Sequence, residues 1–176
     1  LPPIATNDIS NGNTTNQPST PLNILTNDRL GDGTLTTPAN TIVDLNPNTT
    51  GVETTIIVPG EGTWNYDPAT GLIVFTPQAG FTSDPTPLEY KLTETQTGLS
   101  DTATVTVTYI AQAPIANNDL SSGNPVNTAV TVNPLVYNGS GIDADPDGTI
   151  DSSTVRLLSP TGATAIVTDS KGITSF

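Results

Sequence analysis

An all-β fold is what the sequence predicts, as tandem antiparallel β-sandwiches with the second one truncated. Three observations predict it. The chain of 176 residues carries 16 Pro and 15 Gly and is rich in threonine and asparagine, while Ala, Leu, Glu and Lys are too sparse for helices. No 12-residue window shows a convincing 3.6-residue period, whereas several runs of four to eight residues alternate with period two. Finally, the chain repeats itself: PIATNDISNGN begins at Pro3 and PIANNDLSSGN at Pro114.

The repeat continues in order. PLNILTND (21–28) answers TVNPLVYNG (131–139), DGTL (32–35) answers DGTI (147–150), and GEGTW (60–64) answers SKGIT (170–174). A period near 110 residues is the size of an immunoglobulin-like sandwich. The expected domains are therefore 1–111, a complete repeat, and 112–176, the N-terminal part of a second. Phe176 answers Tyr66, so counterparts of GLIVFTP, PLEYKLTE and TATVTVTY are missing from the second unit, which is expected to leave an edge and a face uncovered. The linker TYIAQAPIAN is short and holds one proline, so stiff coupling is expected.

In the first unit LNIL, TIVDL and VETTIIV are apolar or alternating runs bounded by Pro, Asn and Gly. GTWNY and GLIVFTP flank DPATG, where Pro68 presets φ and Gly71 supplies φ > 0, the signature of a hairpin. PLEYKLTE sends Leu88, Tyr90 and Leu92 to one face and Glu89, Lys91 and Thr93 to the other. TATVTVTY does the same with Ala103, Val105, Val107 and Tyr109 against four threonines.

Composition excludes several functions. With 17 acidic and four basic residues the net charge is −13, which leaves nothing to neutralise a run of phosphates or an anionic membrane surface. Such charge suits divalent cations. There is no Cys, His or Met, which removes disulfides, Cys/His zinc sites and His-dependent nucleophilic machinery. No apolar run reaches membrane-spanning length and no signal peptide is present, which fits a mature protein or an excised piece of a longer one.

The PIAxND opening, GTWNYDPATGLIVFTPQAGF (62–81) and the closing SDTATVTVTY (100–109) together resemble the tandem immunoglobulin-like or cadherin-like repeats of giant bacterial surface adhesins, most of all the CshA-type fibril repeat. The resemblance implies a sandwich module that extends a stalk from the bacterial cell surface, often with calcium near domain junctions. Adhesins of gliding bacteria are built from such arrays. It also implies a secreted, cell-surface location, with neighbouring repeats of the same chain as partners and surface glycans or other surface proteins as ligands. Another reading is a carbohydrate- or protein-binding module appended to a secreted enzyme.

The strongest cation candidate is DADPDGTIDSS. Asp143, Asp145, Asp147, Thr149 and Asp151 place oxygen ligands at alternate positions around Gly148, the form of a structural calcium loop. Its twelfth place is Thr154 instead of a bidentate Glu, and no flanking helices are expected, so it is not an EF-hand. An acidic solvated turn is the competing reading. Set against the first unit's GDGTLTTP, Asp143, Asp145 and Asp151 count as additions, which favours an ion. Asp8, Asp28, Asp32 and Asp119 form a second candidate calcium set, although Asx-turn chemistry explains the repeated N-D dipeptides better. Trp64 and Tyr66 share a strand face on which a sugar could stack, but a lone Trp in so aromatic-poor a chain reads as core. Lys91 suggests an isopeptide cross-link to an Asn, yet its alternation places it away from the core. No pair of carboxylates is set apart by environment, so no enzyme activity is expected.

Overall fold

A computed structural model describes residues 1–136 and 141–158, and beyond them only the strand pairs at 157–158 with 164–165 and at 167–168 with 174–175. Asn138, Gly139 and all of SKGIT but its threonine lie outside the described residues. The chain divides into two units, Leu1–Gln112 and Ala113–Phe176.

Unit 1 has eight strands: β1 (Asp8–Thr14), β2 (Leu22–Asn23), β3 (Thr41–Asp44), β4 (Thr55–Val58), β5 (Gly62–Asp67), β6 (Leu72–Pro77), β7 (Leu88–Glu94) and β8 (Ser100–Ile110). They form two four-stranded sheets, β1-β8-β7-β3 and β2-β6-β5-β4. The period-two pattern sets which side chains enter the space between them. Trp64 of β5, Phe75 of β6, Tyr90 and Leu92 of β7, and Val105 and Val107 of β8 are all buried. Trp64 lies against Phe75 at a centroid separation of 5.0 Å, and Phe75 meets Tyr109 edge-on at 6.5 Å. Each such side chain contributes about 1.5–3 kcal/mol of burial, more than any single ladder hydrogen bond at about 0.5–1.5 kcal/mol. Resistance to heat therefore resides mainly in this core.

The β5–β6 hairpin turns as DPATG predicts. Asp67 accepts from the Ala69 amide (2.9 Å) and the Thr70 hydroxyl (2.7 Å), and Gly71 takes φ +77°. LNIL behaves differently. Only Leu22 and Asn23 pair with β6, because the Asn23 carboxamide accepts the Leu25 amide at 3.0 Å and bends the chain. Ile24 and Leu25 still reach the core, from a turn.

A second departure concerns strand direction. All expected pairs are antiparallel, but β1 runs parallel to β8, with Asp8 opposite Val105 and Thr14 opposite Ile110. A parallel pair needs a long crossover; here the crossover is the rest of the sandwich.

Unit 2, among its described residues, forms a two-residue bridge between Ile115 and Ala144, one 3₁₀ turn at Ser152–Thr154, and two short antiparallel pairs, β9 (Leu157–Leu158) with β10 (Thr164–Ala165) and β11 (Val167–Thr168) with β12 (Thr174–Ser175). The counterpart of β1, beginning at Asp119, is not a strand, and Leu120, Val126 and Val130 are exposed. In unit 1 the sole ladder partner of β1 is β8, and residues 113–176 carry no run that answers TATVTVTY.

Candidate functional site

The repeated opening NDISNGN is the seam between β1 and β8. It has no apolar alternation, and its asparagines hold it instead. The Asn7 carboxamide accepts the Thr104 amide (2.9 Å), Asn11 accepts the Thr108 hydroxyl (3.1 Å), and Asn13 donates to the Thr108 carbonyl (2.9 Å) while accepting the Thr20 amide (2.7 Å). The register shifts between Ser10 and Asn13, where Gly12 sits at φ +71°. A β-carbon there would meet nothing within 4 Å, so the glycine is required by backbone conformation rather than space. Unit 2 builds the same local turn: Asn124 donates to the carbonyl and hydroxyl oxygens of Ser121, as Asn13 does to Ser10.

Where β1 begins, two acids converge. Tyr90 Oη lies 2.9 Å from Asp8 Oδ2 and 3.3 Å from Asp28 Oδ2, and Asp28 Oδ1 accepts the Thr6 amide at 2.7 Å. Burial pushes the Asp8 carboxyl up to about 6 against the opposing Tyr90 hydrogen bond, and the charge of Asp28 adds to the rise. Burial pushes Asp28 up as well, with the Thr6 and Tyr90 bonds opposing. The Tyr90 phenol rises far above its usual value through burial and the two neighbouring acids. Of the second candidate set, Asp8 and Asp28 thus meet at a tyrosine hydroxyl. Asp32 instead stays exposed in its own turn, where the amide and hydroxyl of Thr34 hold it below the usual carboxylate range. Asp119 is exposed in unit 2.

The acidic loop of unit 2 has a counterpart in this arrangement. Ile4 and Arg29 exchange two backbone hydrogen bonds, and so do Ile115 and Ala144. Thr6 donates to Asp28, and Asn117 donates to Asp143 at 2.6 Å. Asp143 therefore stands where Asp28 stands and is not an addition, contrary to the sequence reading. DRLGDGTL (28–35) lies over DADPDGTI (143–150) without a gap, so extending the DGTL/DGTI match leftward finds the equivalence. Only Asp145 and Asp151 are surplus. Asp145 accepts the Asp147 amide (3.3 Å), and its carboxylate would stand 2.8 Å from a β-carbon on Gly148. Asp151 caps the 3₁₀ turn, accepting the Ser153 hydroxyl (2.7 Å) and amide (2.9 Å), bonds that hold it below the usual range. Thr149 is exposed. Among the described residues no three acidic side chains gather as a metal-holding group, so the loop as arranged does not present a formed calcium sphere.

The remaining candidates resolve by burial. Trp64 is 0% exposed and Tyr66 is buried too, so neither offers a ring face to a sugar. Lys91 points out of the core, as its alternation predicts, and its ammonium lies 3.4 Å from Asp44 Oδ2, across the β3–β7 pair. Burial opposes ionisation of Asp44, but the amides of Asn46 and Glu53 and the Lys91 ammonium outweigh it and hold the acid below the usual range. No helix among the described residues is long and apolar enough to cross a membrane.

Unit 1 is thus a two-sheet sandwich whose first and last strands pair, with Trp64 and the acids Asp8, Asp28, Asp44 and Glu94 buried. The chain belongs to the family of the surface adhesin CshA repetitive domain, whose sequence model matches residues 2–110. Among curated proteins no significant match is found. The match covers unit 1 from the N-D opening to the end of β8, as the motifs predict.

Proposed function

We propose that unit 1 is a load-bearing module in the stalk of a bacterial surface adhesin, with the β1–β8 seam as its mechanical clamp. One observation supports this reading: the first and last strands are parallel neighbours. Tension entering before β1 and leaving after β8 pulls the two strands in opposite senses along their length. The ladder from Asp8–Val105 to Thr14–Ile110 is then loaded in shear, and its bonds must fail together. A hairpin pulled open at its ends loses its bonds one at a time.

Single-molecule pulling tests this. The chain has no native cysteine, so handles can be placed at Leu1→Cys and Gln112→Cys for shear, or at Glu61→Cys and Gln78→Cys to peel the β5–β6 hairpin. The terminal geometry should withstand several-fold more force. Equal forces in the two geometries would sink the clamp reading, and with it the load-bearing role.

Calcium is a separate proposal, for the loop 143–151. The Asp145 carboxylate folded over Gly148 favours it. Because Asp143 accepts the Asn117 amide and Asp151 is engaged in its own turn, binding has to re-aim these two acids. Calcium should then raise the unfolding temperature of unit 2 and protect the loop from proteolysis; identical calorimetric traces in EDTA and millimolar calcium would exclude it.

A further inference from the structure

Tyr90 carries one hydroxyl hydrogen, yet two carboxyl oxygens lie within hydrogen-bond distance of its oxygen. The hydroxyl can donate to only one of them. The other contact is attractive only if that carboxyl keeps its own proton and donates to the tyrosine lone pair. Both acids are deeply buried, Asp8 at 7% exposure and Asp28 at 0%. Two bare charges so placed repel and lack solvation.

The surroundings do not supply a countercharge directly. From β8, Asp101 brings a further negative group whose carboxylate accepts the Ala5 amide at 3.0 Å and whose field also bears on Asp28. From the loop of Asp28 itself, the Arg29 guanidinium is turned to backbone carbonyls, those of Asp28 (2.6 Å) and Thr26 (3.5 Å). Its charge eases Asp28 only as the smallest of the influences on it. Asn27 bonds the carbonyls of Thr6 and Asn7, and from β7 the facing group is Tyr90.

We propose that Asp8, Asp28 and Tyr90 form a proton-dependent latch that seats β1 on the sandwich, closed when the two carboxyls share a proton and loosened when both are ionised. Asp8 is the first residue of β1, an edge strand whose one ladder partner is β8, so β1 is the element that yields when the two acids repel. The rise of the Asp8 carboxyl to about 6 sets the window. The folded unit holds a proton that the unfolded chain has released. The latch therefore contributes fully below the ordinary carboxylate value, weakens as pH climbs from there to about 6, and contributes nothing more to the pH dependence above it. The latch does not depend on the load-bearing reading, since its closure is read without applied force.

The test uses the full chain. Trp64 is the only tryptophan and is sealed in unit 1, so its fluorescence follows that unit's melting alone. Asp8→Asn supplies a permanently neutral isostere of the protonated acid. Its melting temperature should match wild type at pH 4 and exceed it by several degrees at pH 8, with the gap opening from about pH 4 and complete a little above pH 6. A variant less stable than wild type at pH 8, or a gap that does not change with pH, overturns the latch. In wild-type chain, ¹³C NMR of the aspartate carboxyls should show one signal titrating near pH 6, which keeps the idea open to refutation if the variant fails to fold. If every aspartate titrates below pH 5, or if that signal moves with calcium instead of pH, the latch is wrong.

Discussion

Asn13→Ala should be among the most damaging polar substitutions in unit 1, although the residue lies on an edge strand without apolar neighbours in sequence. Its side chain is 4% exposed and ties three segments together. It donates to the Thr108 carbonyl on β8 and the Ser10 carbonyl on β1, and it accepts the Thr20 amide beyond the bulge. Alanine leaves the Thr20 amide and one lone pair of Thr108 without that partner in a partly buried place. At about 1–3 kcal/mol for each group left unsatisfied, the loss should be about 3 kcal/mol. For a unit of this size that lowers the melting temperature by on the order of 10 °C. Trp64 fluorescence in thermal and urea melts measures it. Asn11→Ala is the control: Asn11 sits two residues away, is exposed, and accepts only a hydroxyl from Thr108, so water replaces it within about 0.5 kcal/mol. Equal losses for the two variants, or less than about 1 kcal/mol for Asn13→Ala, would show that the seam is not held by the buried carboxamide.

Lys91→Met should cost about 1–2 kcal/mol at neutral pH, because it strips the cation from buried Asp44 while the Asn46 and Glu53 amides remain; Lys91 is a third exposed, so solvent already screens part of the pair. The sign with pH is the reverse of the latch. Asp44 is held low, so its contribution is present above the ordinary carboxylate value and is lost as pH falls through its folded value. The variant has already lost the part that Lys91 supplies, so its deficit against wild type should shrink as pH falls below the ordinary carboxylate value, and a deficit that stays constant in acid melts would refute this. Gly62→Ala drives a β-carbon into the Thr76 carbonyl oxygen and within 2.7 Å of the Phe75 ring, so a loss of at least about 1–3 kcal/mol is expected in the same melts, and a neutral result would mean that β5 and β6 are not packed so closely.

Much of unit 1 is readable along the chain. Alternation identifies the buried faces of β5 to β8, and it sends Lys91 outward and Trp64 inward. DPATG specifies its hairpin because Asp67, Pro68 and Gly71 close a turn among themselves. The clearest case is the motif shared by the two repeats. The Ser10–Asn13 turn and the Ser121–Asn124 turn have the same side-chain bonds, yet Asn13 is buried in a ladder and Asn124 is exposed outside any strand. Four residues are enough to fix the turn; they do not decide whether it becomes part of a sheet.

What decides that lies far off in sequence. β1 finds its parallel partner in β8, and Asp8 finds Tyr90 82 residues away and, through it, Asp28. No spacing rule announces such meetings, because hydrogen bonds between groups so distant along the chain exist only once both sheets have closed over the core. The equivalence of Asp28 and Asp143 lies between the two cases. It is written in the gapless match of DRLGDGTL with DADPDGTI, but it becomes visible as chemistry only when both aspartates are seen accepting an amide from the entry segment. The sequence by itself determined the turns, the inward faces and the family. The tertiary structure alone turned a polar, glycine-broken opening into the seam that closes the sandwich, because its asparagines and aspartate are satisfied by strands the chain reaches last.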